Sequence, residues 1–178
     1  MNVRTLCLGV LSLGEASGYE IKKDVEDGLF SHFIDASYGS IYPALNQLSV
    51  EGLVTVREEE QTGKPDKKVY VITASGKNAL AKAISVLPAK DKYKSEFLFQ
   101  MLLQDYISPD IILAAIQKQL DDLNEDLGRI AECSQSEAEG VGGRFVAEYG
   151  NAVLTAGVKC LEHKKAELLR QMAAQAAE

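Results

Sequence analysis

The segment Ser37–Glu51, SYGSIYPALNQLSVE, decides the fold of this chain, because its pattern is that of a single amphipathic helix. Its apolar residues recur at helical spacing and form one narrow stripe, made by Ile41, Ala44, Leu45 and Leu48. The other side carries uncharged groups that donate and accept hydrogen bonds, namely Tyr38, Ser40, Tyr42, Asn46 and Gln47. The segment therefore predicts a helix that packs on a core through one side and presents a small polar surface on the other.

Small residues mark both ends of this helix. Ser37 or Ser40 can cap its first turn, and Gly52 is a natural stop. Pro43 is tolerated in the first turn if Ser40 is the cap. If Ser37 is the cap, Pro43 lies one turn in and should kink the helix. The sequence leaves both starts open.

The polar surface of the helix suits a DNA groove, because short hydroxyl and amide side chains reach phosphates and base edges. We expect Asn46 or Gln47 to reach bases. The candidate phosphate contacts on the same helix are Tyr38, Ser40 and Tyr42, and Ser37 is a further candidate DNA contact. A helix with an ordinary solvated face has the same pattern, so the neighbouring elements must decide between the two interpretations.

Two helices are predicted before this segment. Val3–Leu13 is apolar over most of its circumference and should be buried, and Gly14 ends it. Ser17 and Glu20 have the spacing of a capping box, which opens the second helix. On that helix we take as candidate DNA contacts Tyr19, Lys22 and Lys23.

Two runs rich in Val, Ile, Thr and Tyr follow the central helix, Leu53–Glu60 and Lys68–Thr73. Their connector QTGKPDK contains Gly and Pro, so the runs predict a hairpin with a long loop. Thr73 then caps a further helix. Three helices followed by a two-stranded ribbon are in the order of a winged helix-turn-helix, although the loop alone could be a solvated turn. The loop brings together three cations that can each contact a phosphate, Lys64, Lys67 and Lys68.

Three strings in this half, at Gly18–Glu26, Gly39–Val54 and Gly63–Gly76, together resemble the PadR family of transcriptional regulators. They read GYEIKKDVE, GSIYPALNQLSVEGLV and GKPDKKVYVITASG. The resemblance implies a dimeric DNA-binding regulator, usually a repressor. It also implies that Ser37–Glu51 is the recognition helix and Gln61–Lys68 the wing.

The long C-terminal half makes the chain most similar to the branch that includes the virulence activators of this family. One departure is that the chain contains no Trp. Some drug-binding members present a stacking Trp at the dimer centre, so the resemblance does not carry multidrug binding over to this chain.

Residues 88–94, PAKDKYK, are polar and led by proline, and we predict a hinge there between a DNA-binding domain, 1–87, and a helical domain, 88–178. The next run, SEFLFQMLLQDYI, is apolar on most sides, as a short buried helix would be. Ser108 and Pro109 then begin a helix with heptad spacing. A final helix from about Arg144 carries a broad apolar band, in which Gly150 and Gly157 are one heptad apart and could allow close approach of another backbone.

These last two helices expose more apolar surface than a small domain covers by itself, which favours a homodimer. An intramolecular three-helix bundle is the alternative. The predicted dimer-interface residues are Leu120, Leu123, Leu127, Ile130, Phe145, Tyr149, Val153 and Leu161.

Composition narrows the function further. The 178 residues carry a net charge of −7, and the part through Gly76 holds seven basic and eleven acidic residues, so any DNA contact must come from a few clustered cations. No apolar run approaches a membrane span, and no signal peptide is visible, so we expect a cytoplasmic protein. Cys7, Cys133 and Cys160 are too few for a disulfide framework.

No nucleotide-binding or hydrolase motif occurs, and no residues suggest catalysis, so we expect neither an enzyme nor a cofactor. Cys160 and His163 share a helical face, but two ligands do not make a metal site.

The sequence thus predicts a mainly α fold with a small β-hairpin wing: an N-terminal winged helix-turn-helix plus a C-terminal antiparallel helical dimerisation domain. The predicted function is sequence-specific regulation of transcription, as a repressor, by a homodimer on double-stranded palindromic DNA. One alternative is a repressor that senses a small aromatic effector. Another is an adaptor whose winged helix binds a protein, which the acidic net charge would suit.

Overall fold

The computed structural model describes residues 2–26, 30, 38–59, 67–133 and 140–175, and these divide between two compact units, Met1–Lys90 and Asp91–Glu178. The first unit contains α1 (Val3–Leu13), β1 (Ala16–Ser17), α2 (Gly18–Glu26), α3 (Tyr38–Val50), β2 (Val54–Glu59), β3 (Lys67–Ile72) and α4 (Ala74–Ile84). The second contains α5 (Glu96–Leu102), a 3₁₀ turn (Gln104–Tyr106), α6 (Pro109–Cys133) and α7 (Val141–Gln175).

The N-terminal caps of the first unit follow from local sequence. Asn2 caps α1 by accepting a hydrogen bond from the Thr5 amide at 2.9 Å. At α2 the Ser17 hydroxyl accepts from the Glu20 amide at 3.2 Å, and the Glu20 carboxylate accepts from the Ser17 amide at 2.8 Å. The predicted capping box is therefore confirmed.

The central helix α3 begins at Tyr38, so Ser40 lies inside it and is not its cap. Ser37 lies outside the described residues. Pro43 is inside the helix rather than in its first turn, which is the second of the two starts that the sequence left open. The helix therefore lacks one internal N–H donor at Pro43.

The C-terminus of α3 is closed by two backbone hydrogen bonds. The Leu53 amide donates to the Leu48 carbonyl at 2.9 Å, and the Gly52 amide donates to the Ser49 carbonyl at 3.0 Å. Gly52 has φ of +68°, which is the left-handed conformation that this Schellman arrangement requires. A side chain at this position would be strained, so glycine fixes the point where the chain turns from α3 into β2.

The sheet has three antiparallel strands in the order β1, β3, β2. The predicted hairpin is present, with Val54 opposite Ile72 and Glu59 opposite Lys67. The third strand, β1, pairs Ser17 with Val69 and was not predicted, because two residues are too short to show an alternating pattern.

One apolar core holds the first unit together and includes residues from α1, α2, α3, β2 and β3. The α3 stripe supplies its centre, since Ile41, Leu45 and Leu48 have no exposed side-chain surface. Cys7 is also fully buried, and burial raises the pKa of its thiol to about 11, so it acts as a small hydrophobic residue.

Thr73 joins the end of α3 to the start of α4. Its hydroxyl accepts from the Gly76 amide at 3.0 Å and lies within hydrogen-bonding distance of the Gly52 and Leu53 carbonyls. The predicted cap is confirmed. Gly76 is buried, and a Cβ there would clash with the Leu53 backbone oxygen, so this close approach requires glycine.

In the second unit α6 and α7 run antiparallel, as two contacts show. Gly150 faces Ile130, whereas Gly157, further along α7, faces Leu123, which comes earlier on α6. A Cβ at either glycine would lie 3.1 or 3.3 Å from the facing side chain, so both glycines let α6 pack closely. Ile112, Ile116 and Leu120 form the buried centre of this unit.

The short helix α5 differs from its prediction. Phe97 and Met101 pack against the core of the second unit, but Leu98, Phe99 and Leu102 are exposed, and α5 buries no residue fully. The apolar run was expected to be enclosed on most sides. The prediction was wrong because only one face of α5 meets the described core of its unit.

None of the helices in the described part of the chain is both long and apolar enough to span a bilayer.

Candidate nucleic-acid interface

The outer face of α3 is small, polar and open to solvent. Asn46 and Gln47 are exposed, Ser40 is half-buried, and Tyr42 is exposed to 38%. The side chains of Ser37 and Tyr38 lie outside the described set. Because the core takes the opposite side of α3, the amides of this face are free to approach a double helix.

The side chain of Tyr42 is partly exposed and also contacts α2. Its ring lies over Gly18, where an added Cβ would be only 2.6 Å from the ring carbon Cε1. The pKa of Tyr70 is raised, mainly by burial and to a lesser extent by the nearby Tyr42. Tyr42 therefore helps to fix α3 against the first turn of α2.

The α2 candidates surround that first turn. Tyr19 and Lys23 are exposed, and Lys22 is half-buried. All three lie on the same helix as the acidic residues Glu20 and Asp24. The charge of this region depends on how Glu20 is paired.

The described part of the wing carries cations that are matched by carboxylates. Lys67 donates to Glu20 at 3.0 Å, and Arg57 donates to Glu15 at 2.6 Å and to Glu59 at 2.9 Å. Lys68 has the most exposed side chain of these three cations, and its ammonium is 3.8 Å from Glu58. Lys64 lies outside the described residues. In the two described strands of the hairpin the cations are thus paired with carboxylates, where the sequence alone suggested a cluster of free cations.

Glu20 is held by several donors. The Ser17 amide, the Lys67 ammonium and the Ser17 hydroxyl all donate to its carboxylate, and together they lower the pKa of Glu20 to about 2. Glu20 is therefore a fixed negative charge at the start of α2. The pKa of Asp24, one turn further along the helix, is raised first by the burial of Asp24 and then by the negative charge of Glu20.

Sequence reasoning missed these ion pairs for a simple reason. Lys67 and Glu20 are 47 residues apart, and Arg57 and Glu15 are 42 apart. Only β1, by pairing with β3, brings the start of α2 beside the hairpin. No local spacing rule reports such a contact.

The predicted dimer residues fall into two groups in the second unit. Leu120 is buried, Leu161 packs against its cluster, and Leu123, Leu127 and Ile130 are half-buried on α6. The residues of the exposed group follow one another at intervals of about one turn on α7. Their exposed fractions are 70% for Phe145, 64% for Tyr149 and 54% for Val153. The first group is used within one chain, as the three-helix alternative expects, whereas the second group has no cover in the described protomer.

The two remaining candidates of the sequence are isolated. Cys160 and His163 are both exposed on α7, and the described residues form no group of three or more metal-binding side chains. The side chain of Cys133 lies outside the described set.

Comparison with known proteins gives the family. The model of the transcriptional regulator PadR-like family matches residues 7–82. The negative transcriptional regulator PadR of Bacillus subtilis (strain 168) is 38% identical over 94 residues, which are 52% of this chain and 51% of that protein. The chain thus spans about half the length of this curated relative in that match.

The solved structures extend the likeness to nearly the whole chain. The PadR-like regulator BC1756 of Bacillus cereus has a TM-score of 0.80 at 29% identity, over 96% of this chain and 99% of that one. B. subtilis PadR in complex with operator DNA has a TM-score of 0.72 at 27% identity, over 93% and 98%. The same regulator in complex with p-coumaric acid has a TM-score of 0.65 at 26% identity, over 94% and 99%.

The virulence activator AphA of Vibrio cholerae has a TM-score of 0.62 at 21% identity, over 98% and 99%, which shows a common fold. Residues 7–82 match the PadR-like family of transcriptional regulators, and the chain has the winged-helix fold of the solved PadR-like regulators.

Proposed function

We propose that this chain represses transcription as a homodimer that binds a palindromic operator. The observation that carries the proposal is the exposed amide face of α3, with Asn46 and Gln47 directed away from the core. The solved complex of B. subtilis PadR with operator DNA supports it. In this proposal α3 lies in the major groove, and the cytoplasmic chromosome is the partner.

The proposed roles of the side chains follow from their positions. Asn46 and Gln47 read bases, because a side-chain amide can pair with an adenine edge in the major groove. Phosphates are held by Tyr19, Lys22, Lys23, Ser37, Tyr38, Ser40, Tyr42, Lys64 and Lys68. Lys67, the remaining lysine of the predicted wing, donates to Glu20 instead.

The homodimer is supported by the uncovered apolar stripe on α7. Phe145, Tyr149 and Val153 are each more than half exposed, and a large exposed apolar patch is typical of a protein interface. A second copy of the chain related by a twofold axis would cover this stripe. It would also present two α3 helices to the two half-sites of a palindrome, about 34 Å apart.

A shift experiment over a salt series tests the proposal. The probe is the DNA immediately upstream of the chain's own gene, if it contains an inverted repeat, beside a scrambled duplex of the same length. We expect tight binding to the first probe and a linear fall of log affinity with log salt concentration on both. Binding to neither probe would favour the adaptor, in which the winged helix binds a protein.

A second candidate function has one observation in its favour. B. subtilis PadR has been solved with p-coumaric acid, an aromatic carboxylic acid. In this chain a groove of about 440 Å³ between α6 and α7 is lined by Leu120, Leu169 and Lys165, whose ammonium contacts Gln117. Such a groove offers apolar surface for a ring and a cation for a carboxylate.

The effector is tested with p-coumaric acid itself. Binding to the groove should raise the melting temperature of the full chain, and Lys165→Gln should remove most of that shift. If the acid also weakens the complex with upstream DNA, the chain is a ligand-responsive repressor. An unchanged melting temperature at millimolar acid would contradict this second function without affecting the first.

A further inference from the structure

The two lysines at the base of the wing have different surroundings although they are neighbours in β3. The Lys67 ammonium is 3.0 Å from Glu20 Oε1, and its side chain is 31% exposed. The Lys68 ammonium is 3.8 Å from the nearest carboxylate among the described residues, on Glu58, and its side chain is 62% exposed. Side chains alternate along a strand, so the two ammonium groups project to opposite faces of the hairpin.

The carboxylate that accepts from Lys67 is also held by a second residue, Ser17. Glu20 Oε2 accepts from the Ser17 amide and from the Ser17 hydroxyl, both at 2.8 Å, which leaves Oε1 directed at Lys67. Ser17 is buried and pairs with Val69, two residues after Lys67. The contact between Glu20 and Lys67 therefore joins the start of α2 to β3 through side chains, just after the backbone pairing of β1 with β3 has ended.

We propose that Glu20 and Lys67 form an anchor that positions the wing against the first turn of α2, and that Lys67 acts through wing placement rather than by binding a phosphate. This inference rests on the proposed DNA binding and adds a division of labour to it. Lys68, by contrast, supplies a phosphate contact. Lys67 keeps its carboxylate partner when DNA binds.

The anchor has a definite electrostatic consequence. A lysine that neutralises a phosphate releases a counterion and contributes about 0.9 to the magnitude of the slope of log affinity against log salt. A lysine that stays on Glu20 contributes nothing to that slope. Loss of the anchor should instead weaken binding by a modest factor, because the wing is then less well placed while all phosphate contacts remain available.

Three single variants of the full chain separate the two roles: Lys67→Gln, Lys68→Gln and Glu20→Gln. The two lysine variants are matched, since they make the same change at adjacent positions. Glu20→Gln keeps one side-chain oxygen for the Ser17 donors, removes the charge and puts an amide NH2 in place of the oxygen that faces Lys67. The probe is a random-sequence duplex of about three helical turns, roughly 30 base pairs.

We expect Lys68→Gln to reduce the slope by about 0.9, and Lys67→Gln and Glu20→Gln to leave it unchanged while weakening binding about two- to fivefold. Two results overturn the proposal. One is a Lys67→Gln slope reduced as much as that of Lys68→Gln. The other is a Glu20→Gln slope that steepens, which would mean that the released Lys67 reaches a phosphate.

Hydrogen exchange of the β3 amides provides a readout without DNA. Glu20→Gln and Lys67→Gln should each lower protection by up to about fivefold, and the double variant should lower it no further, since both changes break one contact. Additive losses would overturn the anchor. If the wild-type chain binds no DNA, the proposed function fails, and exchange alone then decides whether the anchor exists.

Discussion

Replacing Phe145 by Ala on α7 should dissociate the proposed dimer while leaving each protomer folded. The side chain is 70% exposed in the protomer, so its removal costs little there. Burying one such side chain at an interface contributes about 1.5–3 kcal/mol, and a twofold dimer contains two copies. The dimer should therefore lose about 3–6 kcal/mol, which is a rise of roughly 10² to 10⁴ in its dissociation constant.

Sedimentation of wild type and variant over a dilution series measures this constant directly. Leu13→Ala is a suitable control, because Leu13 on α1 is also an exposed large apolar residue, at 75%, outside the stripe. Leu120→Ala is the opposite control, since Leu120 is buried within the protomer and its loss should cost about 2–5 kcal/mol of folding stability. A Phe145→Ala dimer as tight as that of wild type would refute the assignment of this face.

Three further predictions concern the first unit. Gly76→Ala should destabilise the chain by about 1–3 kcal/mol in urea unfolding because its Cβ meets backbone, whereas Gly128→Ala, in open space on α6, should stabilise it by about 0.5–1 kcal/mol. The Glu20 carboxylate has a pKa of about 2 when folded against an ordinary 4.5, so its stabilisation is complete above pH 4.5 and is lost as the pH falls towards 2. The advantage of wild type over Glu20→Gln in unfolding free energy should shrink over that range, and a constant difference would contradict the shift. Replacing Lys64 and Lys68 together by Gln should lower the salt slope by about two units, and an unchanged slope would exclude the wing from DNA binding.

The parts of the fold that local sequence determines were predictable. The capping box of Ser17 and Glu20, the Thr73 cap and the stop at Gly52 each depend on residues within a few positions of one another. The apolar stripe of α3 was likewise visible as a helical period, and its residues are those that the core buries. The family strings gave the winged-helix order as a resemblance.

The contacts between distant parts of the chain were not predictable in the same way. The two-residue strand β1 exists because β3 offers it a free edge, and it then brings Glu20 to Lys67 across 47 residues. The heptad spacing of α6 marked Leu120 as an interface residue, and the broad apolar band of α7 marked Phe145. Only packing distinguishes Leu120, used inside the protomer, from Phe145, left exposed.

The start of α3 illustrates a conflict that local rules could not settle. Pro43 prefers a first turn, which would have made Ser40 the cap. The helix instead begins at Tyr38 and includes Pro43. The buried stripe starts only at Ile41, so it fits either start and does not select one.

The measurement that tests the central claim most directly is base discrimination by the face of α3. Affinities of wild type, Asn46→Ala and Gln47→Ala are compared on the upstream inverted repeat and on the same duplex with scrambled half-sites. Asn78→Ala and Gln171→Ala, at exposed amides on α4 and α7, are matched controls. Wild type and both controls should prefer the repeat at least about 10³-fold, and Asn46→Ala or Gln47→Ala should reduce this preference by about 1–3 kcal/mol. Equal affinity of wild type for the two duplexes, or an unchanged preference in both α3 variants, would contradict base reading by α3.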